Sequence, residues 1–348
     1  MVFELLDFES NKKPENLTNS FIFELPTVKE RSKRIEERTV DNTPFKILDA
    51  PGLIDDFYLN VLDWSENIIS IALGDTVYCY NTETKEVNEI YNSPNAYISS
   101  LKSCGENLAI GDSKGQLFTY DFNKGCISDK KKLHNARISA IAFSNRNMST
   151  GDKTGAIINL DIRTPREYKF TGHTQEICGL KWSPNNEYLA SGSNDNTVRI
   201  WKHGSPISKE LKGHESAVKA VDWCPWKMNV LATGGGSKDK SIKFWEGDSG
   251  KMIKSVNVNS QVTSLIYSSK YKEIITGHGF QENDIKLWKA CDMKMISAFG
   301  SHENRILHMA LSPDQCTLVS LGADESLKFW KISEPPKKEF KRDSICLR

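Results

Sequence analysis

The chain has 348 residues, with 46 Lys and Arg against 45 Asp and Glu, a net charge of +1 and 38% apolar residues. This balance argues against a dedicated nucleic-acid-binding protein, which would carry a strongly basic face. The longest apolar runs, such as Ile68–Leu73, have the length of a strand and cannot span a bilayer, so we expect a soluble intracellular protein.

The first 43 residues are polar and include a mixed-charge run at 29–38. They predict a solvated, flexible N-terminal arm. Glu4 and Asp7 stand where a secretory signal would have a basic start and an apolar core, so no signal peptide is expected.

From about residue 57 a short apolar segment returns seven times. The segments end at Tyr80, Tyr120, Leu160, Trp201, Trp245, Trp288 and Trp330, in steps of 40, 40, 41, 44, 43 and 42 residues. A period of about 40–45 residues with an aromatic residue closing a strand is typical of propeller blades. The sequence therefore predicts an all-β, seven-bladed WD-repeat propeller.

The last repeat has no room for a fourth strand, because Pro335 and Pro336 follow it closely and proline ends strand pairing. The segment 45–48, just before the first repeat, has strand character. We hypothesise that it supplies the missing strand and closes the ring, which removes exposed sheet edges. The predicted organisation is an arm over 1–43, a propeller over 44–334 and a flexible tail over 335–348 that ends in Leu-Arg.

The chain shows no sign of catalytic or metal-binding chemistry. Its eight cysteines include no CxxC pair and no metal-ligand spacing, and predict small buried or half-buried residues in a reducing compartment. His and Asp recur as His173 with Asp195, His214 with Asp239, and His302 with Asp324. We interpret these pairs as hydrogen-bond networks that fasten blades. We expect no enzyme activity, no cofactor and no metal.

The loops predict a binding surface. The segment before a blade's first strand and the turn between its second and third strands emerge on the same face. This places one acid, one Arg, amides, a hydroxyl and an aromatic side chain together, a set we call the collar: Asp56, Phe57, Asn194, Asn196, Ser237, Gln261 and Arg305. Such a collar suits a short polar peptide that carries both charges. Taken singly, each residue is equally consistent with ordinary loop solvation.

Ring closure predicts a second surface. We expect it to bring Asp49 close to Glu334, and two adjacent carboxylates can bind a guanidinium. Two unrelated exposed acids are the alternative.

Several segments resemble one family closely. They are ILDAPGLIDDFYLN at 47–60, VKAVDWCPW at 218–226, NVLATGGG at 229–236 and YKEIITGHGF at 271–280. These resemble the Fizzy and Fizzy-related proteins, WD-repeat coactivators of the anaphase-promoting complex, a ubiquitin ligase. The resemblance covers about 44–334.

The resemblance implies a non-catalytic adaptor that recognises substrates with D-box and KEN-box degrons. The collar matches the KEN-box receptor, and Asp49 and Glu334 match the acids that hold the degron Arg, with Leu48 and Pro51 as candidates for the pocket of the degron Leu. The implied partners are subunits of the anaphase-promoting complex, substrates such as cyclins and securin-like proteins, and spindle-checkpoint proteins, in the nucleus and cytoplasm. A generic WD-repeat scaffold without degron recognition is the alternative.

Two features depart from the family pattern. No segment of the arm matches the usual Asp-Arg-Tyr-Ile-Pro-like C-box. The chain ends in Leu347-Arg348 where relatives end in Ile-Arg, a change that keeps an apolar side chain before a guanidinium and a carboxylate. We expect this terminus to dock on the ligase.

Overall fold

The computed structural model describes residues 40–145, 147–162, 166–205 and 207–333. These residues form seven four-stranded antiparallel sheets. In six of them the strands follow one another in sequence, as expected for propeller blades. The predicted all-β, seven-bladed propeller is confirmed.

The first three blades use strands β2 to β13. Blade 1 contains β2 (Leu62–Ser65), β3 (Ile68–Leu73), β4 (Thr76–Asn81) and β5 (Val87–Asn92). Blade 2 contains β6 (Ile98–Cys104), β7 (Asn107–Asp112), β8 (Gln116–Asp121) and β9 (Cys126–Lys132). Blade 3 contains β10 (Ile138–Phe143), β11 (Asn147–Asp152), β12 (Ile157–Asp161) and β13 (Glu167–Phe170).

The next three blades use strands β14 to β25. Blade 4 contains β14 (Ile177–Trp182), β15 (Tyr188–Ser193), β16 (Val198–Lys202) and β17 (Ser208–Leu211). Blade 5 contains β18 (Val218–Trp223), β19 (Val230–Gly235), β20 (Ser241–Glu246) and β21 (Met252–Asn257). Blade 6 contains β22 (Gln261–Ser268), β23 (Glu273–Gly279), β24 (Asp284–Lys289) and β25 (Met295–Ser301).

The last blade combines both ends of the propeller. It contains β26 (Ile306–Leu311), β27 (Thr317–Gly322), β28 (Ser326–Lys331) and, as its outer strand, β1 (Lys46–Asp49). β1 pairs antiparallel with β28, with Lys46 opposite Phe329 and Asp49 opposite Ser326. The hypothesis that the segment before the first repeat closes the ring is confirmed. Residues 1–39 of the predicted arm and the predicted tail over 335–348 lie outside the described residues, and the three domain bounds stay predictions.

The repeated aromatic residues form the core of the blades. Trp201, Trp245 and Trp330 each end the apolar part of a third strand and are at most 2% exposed. Each indole N–H donates to a hydroxyl on the neighbouring second strand, at 2.8 Å in all three cases. The indole is buried for its apolar surface, and the hydroxyl satisfies its one polar group.

The recurring His and Asp residues complete these networks. The imidazole of His173 lies 2.9 Å from an Asp195 oxygen and 2.8 Å from the Ser191 hydroxyl that accepts from Trp201. His214 and His302 make the same contacts with Asp239 and Asp324. The structural interpretation of the three pairs is therefore confirmed.

These networks also shift the acidity of the carboxyl groups. Burial alone would raise the pKa of Asp239, but hydrogen bonds from His214 and Ser241 lower it to about 2. Blade 3 carries a fourth pair that the sequence reading missed, His134 with Asp152 at 2.9 Å. It was missed because its third strand ends in Leu160 instead of Trp.

The cysteines agree only in part with expectation. The seven described cysteines are free, and four of them are buried, but Cys126 and Cys291 are exposed. Cys346 lies outside the described residues. The described part of the chain contains no helix that could span a membrane.

The register of β1 is directly testable by cross-linking. Ile47 lies opposite Lys328, so their side chains share one face, whereas a one-residue shift points them to opposite faces. We expect Ile47→Cys with Lys328→Cys to cross-link on mild oxidation, and the melting temperature to rise. The control pair, Ile47→Cys with Leu327→Cys, is expected not to cross-link. Peptide mapping by mass spectrometry would identify the bond. Equal cross-linking of both pairs would contradict the register.

Two histidines, the buried His278 and the half-buried His308, predict how stability depends on pH. Burial lowers the pKa of His278 and His308 to about 3, whereas an unfolded histidine titrates near 6.5. Because the folded pKa values are the lower ones, the stabilisation is complete above pH 6.5 and is lost as the pH falls toward 3. We expect each histidine to lower the free energy of unfolding by about 2 kcal/mol when the pH falls from 7 to 5.

Urea denaturation at the two pH values measures this loss. His308→Gln removes one of the two titrating groups, so the fall in unfolding free energy between pH 7 and pH 5 should be smaller by about 2 kcal/mol. Equal free energies of unfolding at pH 7 and pH 5 would contradict the neutral state of both rings.

Candidate functional site

The site is built on an irregularity shared by six inner strands. In blades 2 to 7 the register between the first and second strands shifts near the start of the first strand. Such a bulge re-aims the backbone of the extra residue. The bulged residues are Ser99, Ser139, Cys178, Lys219, Thr263 and Leu307.

One residue from the start of blade 1 reaches several of these bulges. The amide nitrogen of the Asn60 side chain donates to the carbonyls of Ser139 at 2.7 Å and Cys178 at 2.9 Å. Its backbone N–H donates to the carbonyl of Ser99 at 3.1 Å. Asn60 therefore ties together three consecutive blades where their first strands begin.

Lys219 ties the same segment to the far side of the ring. Its ammonium group donates to the carbonyls of Leu59 and Leu307, at 2.8 Å in both cases, and lies 5.5 Å from the centre of the Phe57 ring. Burial lowers the pKa of Lys219 to about 7. Together Asn60 and Lys219 hold residues 57–60 against bulges from blades 2, 3, 4, 5 and 7.

This anchored segment presents Asp56 beside a buried guanidinium. Asp56 accepts from Arg137 at 2.7 Å and from the backbone N–H of Tyr58 at 2.8 Å. Arg137 also forms a two-pronged pair with Glu176, at 2.6 and 2.7 Å. Such planar pairs fix both groups strongly. Asp56 is therefore held in place from blades 3 and 4.

Asn194 joins the same network from the second turn of blade 4. Its side-chain oxygen accepts from the Tyr58 hydroxyl at 2.8 Å, and its amide group donates to Gln175 at 2.7 Å. Burial raises the pKa of Tyr58, so the phenol stays protonated and remains a donor. The structure thus brings Asp56, Phe57 and Asn194 together, as predicted.

Arg305 and Gln261 meet on the other side of the collar, at Gly279. A side chain at Gly279 would lie 2.6 Å from the Gln261 carbonyl oxygen and 3.1 Å from the Arg305 β-carbon. The Arg305 guanidinium lies 5.1 Å from the centre of the Phe280 ring and donates to Asp55 at 2.7 Å. Gln261 is buried, and its side-chain oxygen has no hydrogen-bond partner among the described residues.

The remaining two collar residues lie in turns. Asn196 follows β15 with φ +65°, a conformation that asparagine tolerates better than most residues, and Ser237 is exposed after β19. No described contact joins either side chain to the others. Their place in ligand binding stays a prediction.

Four members of this surface were not predicted from the sequence: Tyr58, Arg137, Glu176, and Tyr97, whose hydroxyl accepts from Arg137 at 3.2 Å. Three of them, Tyr97, Arg137 and Glu176, share a sequence position that could have identified them. Tyr97, Arg137, Glu176, Gln261 and Arg305 each directly precede the buried Ile or Val near the start of a first strand. Aligning the repeats on that Ile or Val would have selected all five of these residues.

A second acidic residue, Glu325, meets the end of β1 at the junction of blades 7 and 1. Asp49 lies opposite Ser326, the backbone N–H of Ala50 donates to the Glu325 carbonyl at 2.7 Å, and the N–H of Gly52 donates to a Glu325 side-chain oxygen at 3.3 Å. Gly52 adopts φ +80°, which favours glycine. The acidic residue that these backbone contacts hold at the end of β1, next to Asp49 in the pairing, is therefore Glu325.

Glu334 itself lies outside the described residues, as do Leu347 and Arg348. The predicted pairing of Glu334 with Asp49 therefore stays a prediction.

The apolar candidates near this pair face different ways. Leu48 is half-buried and packs on the core cluster between blades 7 and 1, whereas Pro51 is exposed. Ile47 is 53% exposed and shares the outward face of β1 with Asp49, whereas Phe45 precedes β1 and packs its ring edge against Phe329. We name Asp49, Glu325 and Ile47 the junction surface. No group of His, Cys, Asp and Glu in the described ranges is arranged to hold a metal.

Seven four-stranded sheets, closed by a strand from before the first repeat, define a WD40 propeller. Residues 48–330 match the CDC20/Fizzy WD40 domain, and the chain belongs to that family. The resemblance read from the sequence is confirmed.

Relatives of known identity agree. The chain is 39% identical over 315 residues to "Cell division cycle 20.1, cofactor of APC complex" of Arabidopsis thaliana, covering 86% of this chain and 69% of that relative. It is 39% identical to "WD repeat-containing protein slp1" of Schizosaccharomyces pombe, covering 85% and 62%. The chain thus spans about two thirds of the length of these relatives.

A solved structure agrees as well. One chain in a crystal structure of a mitotic checkpoint complex superposes with a TM-score of 0.83 at 37% identity. The match covers 92% of this chain and 100% of that one.

Proposed function

We propose that this protein is a substrate-recognition coactivator of the anaphase-promoting complex and itself catalyses no reaction. The observation that carries the proposal is family membership over 48–330, where one relative is named a cofactor of that complex. The propeller holds substrates, and the partner ligase transfers ubiquitin. Holding substrate lysines near the ligase raises their local concentration, so weak contacts with short degrons suffice.

The junction surface suits the D-box. Asp49 and Glu325 are both exposed, and Ala50 and Gly52 fix their backbones relative to one another. Two adjacent carboxylates can accept several of the five N–H donors of a guanidinium. Ile47 offers apolar surface on the same face of β1 for the degron Leu. We therefore propose Asp49 with Glu325 as the pair that holds the degron Arg.

The collar suits the KEN box, which presents a cation, a carboxylate and an amide in succession. The Arg305 side chain, fixed over Phe280, offers a positive charge. The Gln261 oxygen offers an acceptor without a partner among the described residues, and Asn194 offers an amide. Because these groups are held before any peptide arrives, little side-chain entropy is lost on binding.

We further propose that the terminal dipeptide Leu347-Arg348 docks on the ligase, that substrates include cyclins and securin-like proteins, and that checkpoint proteins bind this chain. The protein would then work in the nucleus and cytoplasm. These proposals follow from the family and from the checkpoint-complex chain that this fold matches.

Two sets of substitutions should separate the two surfaces. Asp49→Lys or Glu325→Lys should weaken a D-box peptide about tenfold or more, because each replaces a partner of the guanidinium with a like charge. Arg305→Ala should instead weaken a KEN peptide. Fluorescence anisotropy with both peptides measures each effect, and Glu89→Lys, on the exposed outer strand of blade 1, is the matched control.

Equal loss of both peptides in any one variant would indicate misfolding. Unchanged D-box affinity in both Lys variants would contradict the junction surface as the degron site. Failure of both peptides to bind the unsubstituted chain would favour a scaffold without degron recognition.

Attachment to the ligase is tested separately. We expect the full chain to capture subunits of the anaphase-promoting complex from a mitotic extract, and removal of residues 347–348 to reduce that capture severalfold. Retention of a D-box peptide by the shortened chain shows that the propeller is intact. Equal capture by both chains would contradict docking through the terminus.

A further inference from the structure

The arginine that the collar offers to a ligand already holds a carboxylate. Arg305 donates through Nε to an Asp55 side-chain oxygen at 2.7 Å and through Nη2 to the Asp55 backbone carbonyl at 3.1 Å. The Asp55 side chain is 57% exposed, whereas that of Arg305 is 15% exposed. The carboxylate is thus the accessible member of the pair, and its departure frees the less exposed Arg305 for another carboxylate.

The other acids of this surface have less freedom. Both oxygens of Glu176 bond Arg137, and the two oxygens of Asp56 bond Arg137 and the backbone N–H of Tyr58. Among Asp55, Asp56 and Glu176, only Asp55 is mainly exposed. A cation that enters the collar therefore meets Asp55 as the most accessible negative charge.

A second observation indicates that a ligand enters beside this pair. The side-chain oxygen of Gln261 is buried and lacks a hydrogen-bond partner among the described residues. It borders Gly279, as does the β-carbon of Arg305. Because an unpaired buried acceptor is costly, a donor from a bound molecule would satisfy it.

We propose that Asp55 is an internal competitor for Arg305 and that peptides bind to the collar by exchange of ion pairs. The peptide carboxylate takes Arg305, and a neighbouring cation of the peptide takes the released Asp55. This inference rests on the proposed KEN-box function and adds a residue that sets its specificity. A peptide with a carboxylate alone must displace Asp55 and leave it unpaired, so the collar prefers a cation next to the carboxylate.

The test compares Asp55→Asn with the unsubstituted full chain. Asn keeps the shape and the side-chain oxygen but removes the competing charge. The probes are a labelled peptide with Lys-Glu-Asn and its Ala-Glu-Asn counterpart, measured by anisotropy at low salt. We expect Ala-Glu-Asn to bind the variant on the order of two- to fivefold more tightly than the unsubstituted chain, and its disadvantage against Lys-Glu-Asn to shrink by a similar factor.

Glu89→Gln removes one exposed charge far from the collar and is the matched control, and a D-box peptide should bind every variant equally. The proposal is overturned if Asp55→Asn changes neither affinity more than the control does, or weakens both peptides alike. If neither peptide binds the unsubstituted chain, the KEN-box function itself is wrong. If Lys-Glu-Asn binds but Asp55→Asn leaves the ratio of the two peptide affinities unchanged, only the proposed exchange of ion pairs is wrong.

Discussion

The hydrogen bonds between Asn60 and the bulged carbonyls of the inner strands organise this molecule. Asn60 bonds three neighbouring blades, and Lys219 bonds Leu59 and Leu307 across the ring. Buried carbonyls need such partners, so the strand irregularities and the segment that satisfies them depend on one another. A propeller without these bonds would have neither a fixed collar nor a fixed path for residues 50–58.

Both proposed surfaces follow from this arrangement, because one stretch of chain serves both. Residues 46–49 pair with the last blade and set Asp49 beside Glu325, and residues 55–60 enter the collar. The stretch is anchored at both ends by backbone hydrogen bonds. This explains how a non-repeating segment gives two distinct surfaces to a ring of similar blades.

The repeat period and the His, Asp and Trp positions were sufficient to predict the fold, because blades need a buried aromatic and a satisfied polar network in each unit. The loop argument predicted one shared face. Asp56, Phe57 and Asn194 meet through Tyr58, and Gln261 and Arg305 both border Gly279. The residue opposite Asp49 in the sheet, Ser326, could not be predicted. It depends on the register between two strands that lie 277 positions apart in the sequence. The bulges, and hence the role of Lys219, leave no local pattern in the sequence.

Hydrogen exchange of the full chain with each degron peptide is the most direct measurement of the central claim. We predict that a D-box peptide slows exchange at 46–52 and 324–326, and that a KEN peptide slows it at 55–58 and 278–281. Protection at neither surface, or protection confined to the opposite opening of the ring, would contradict the assignment of both surfaces.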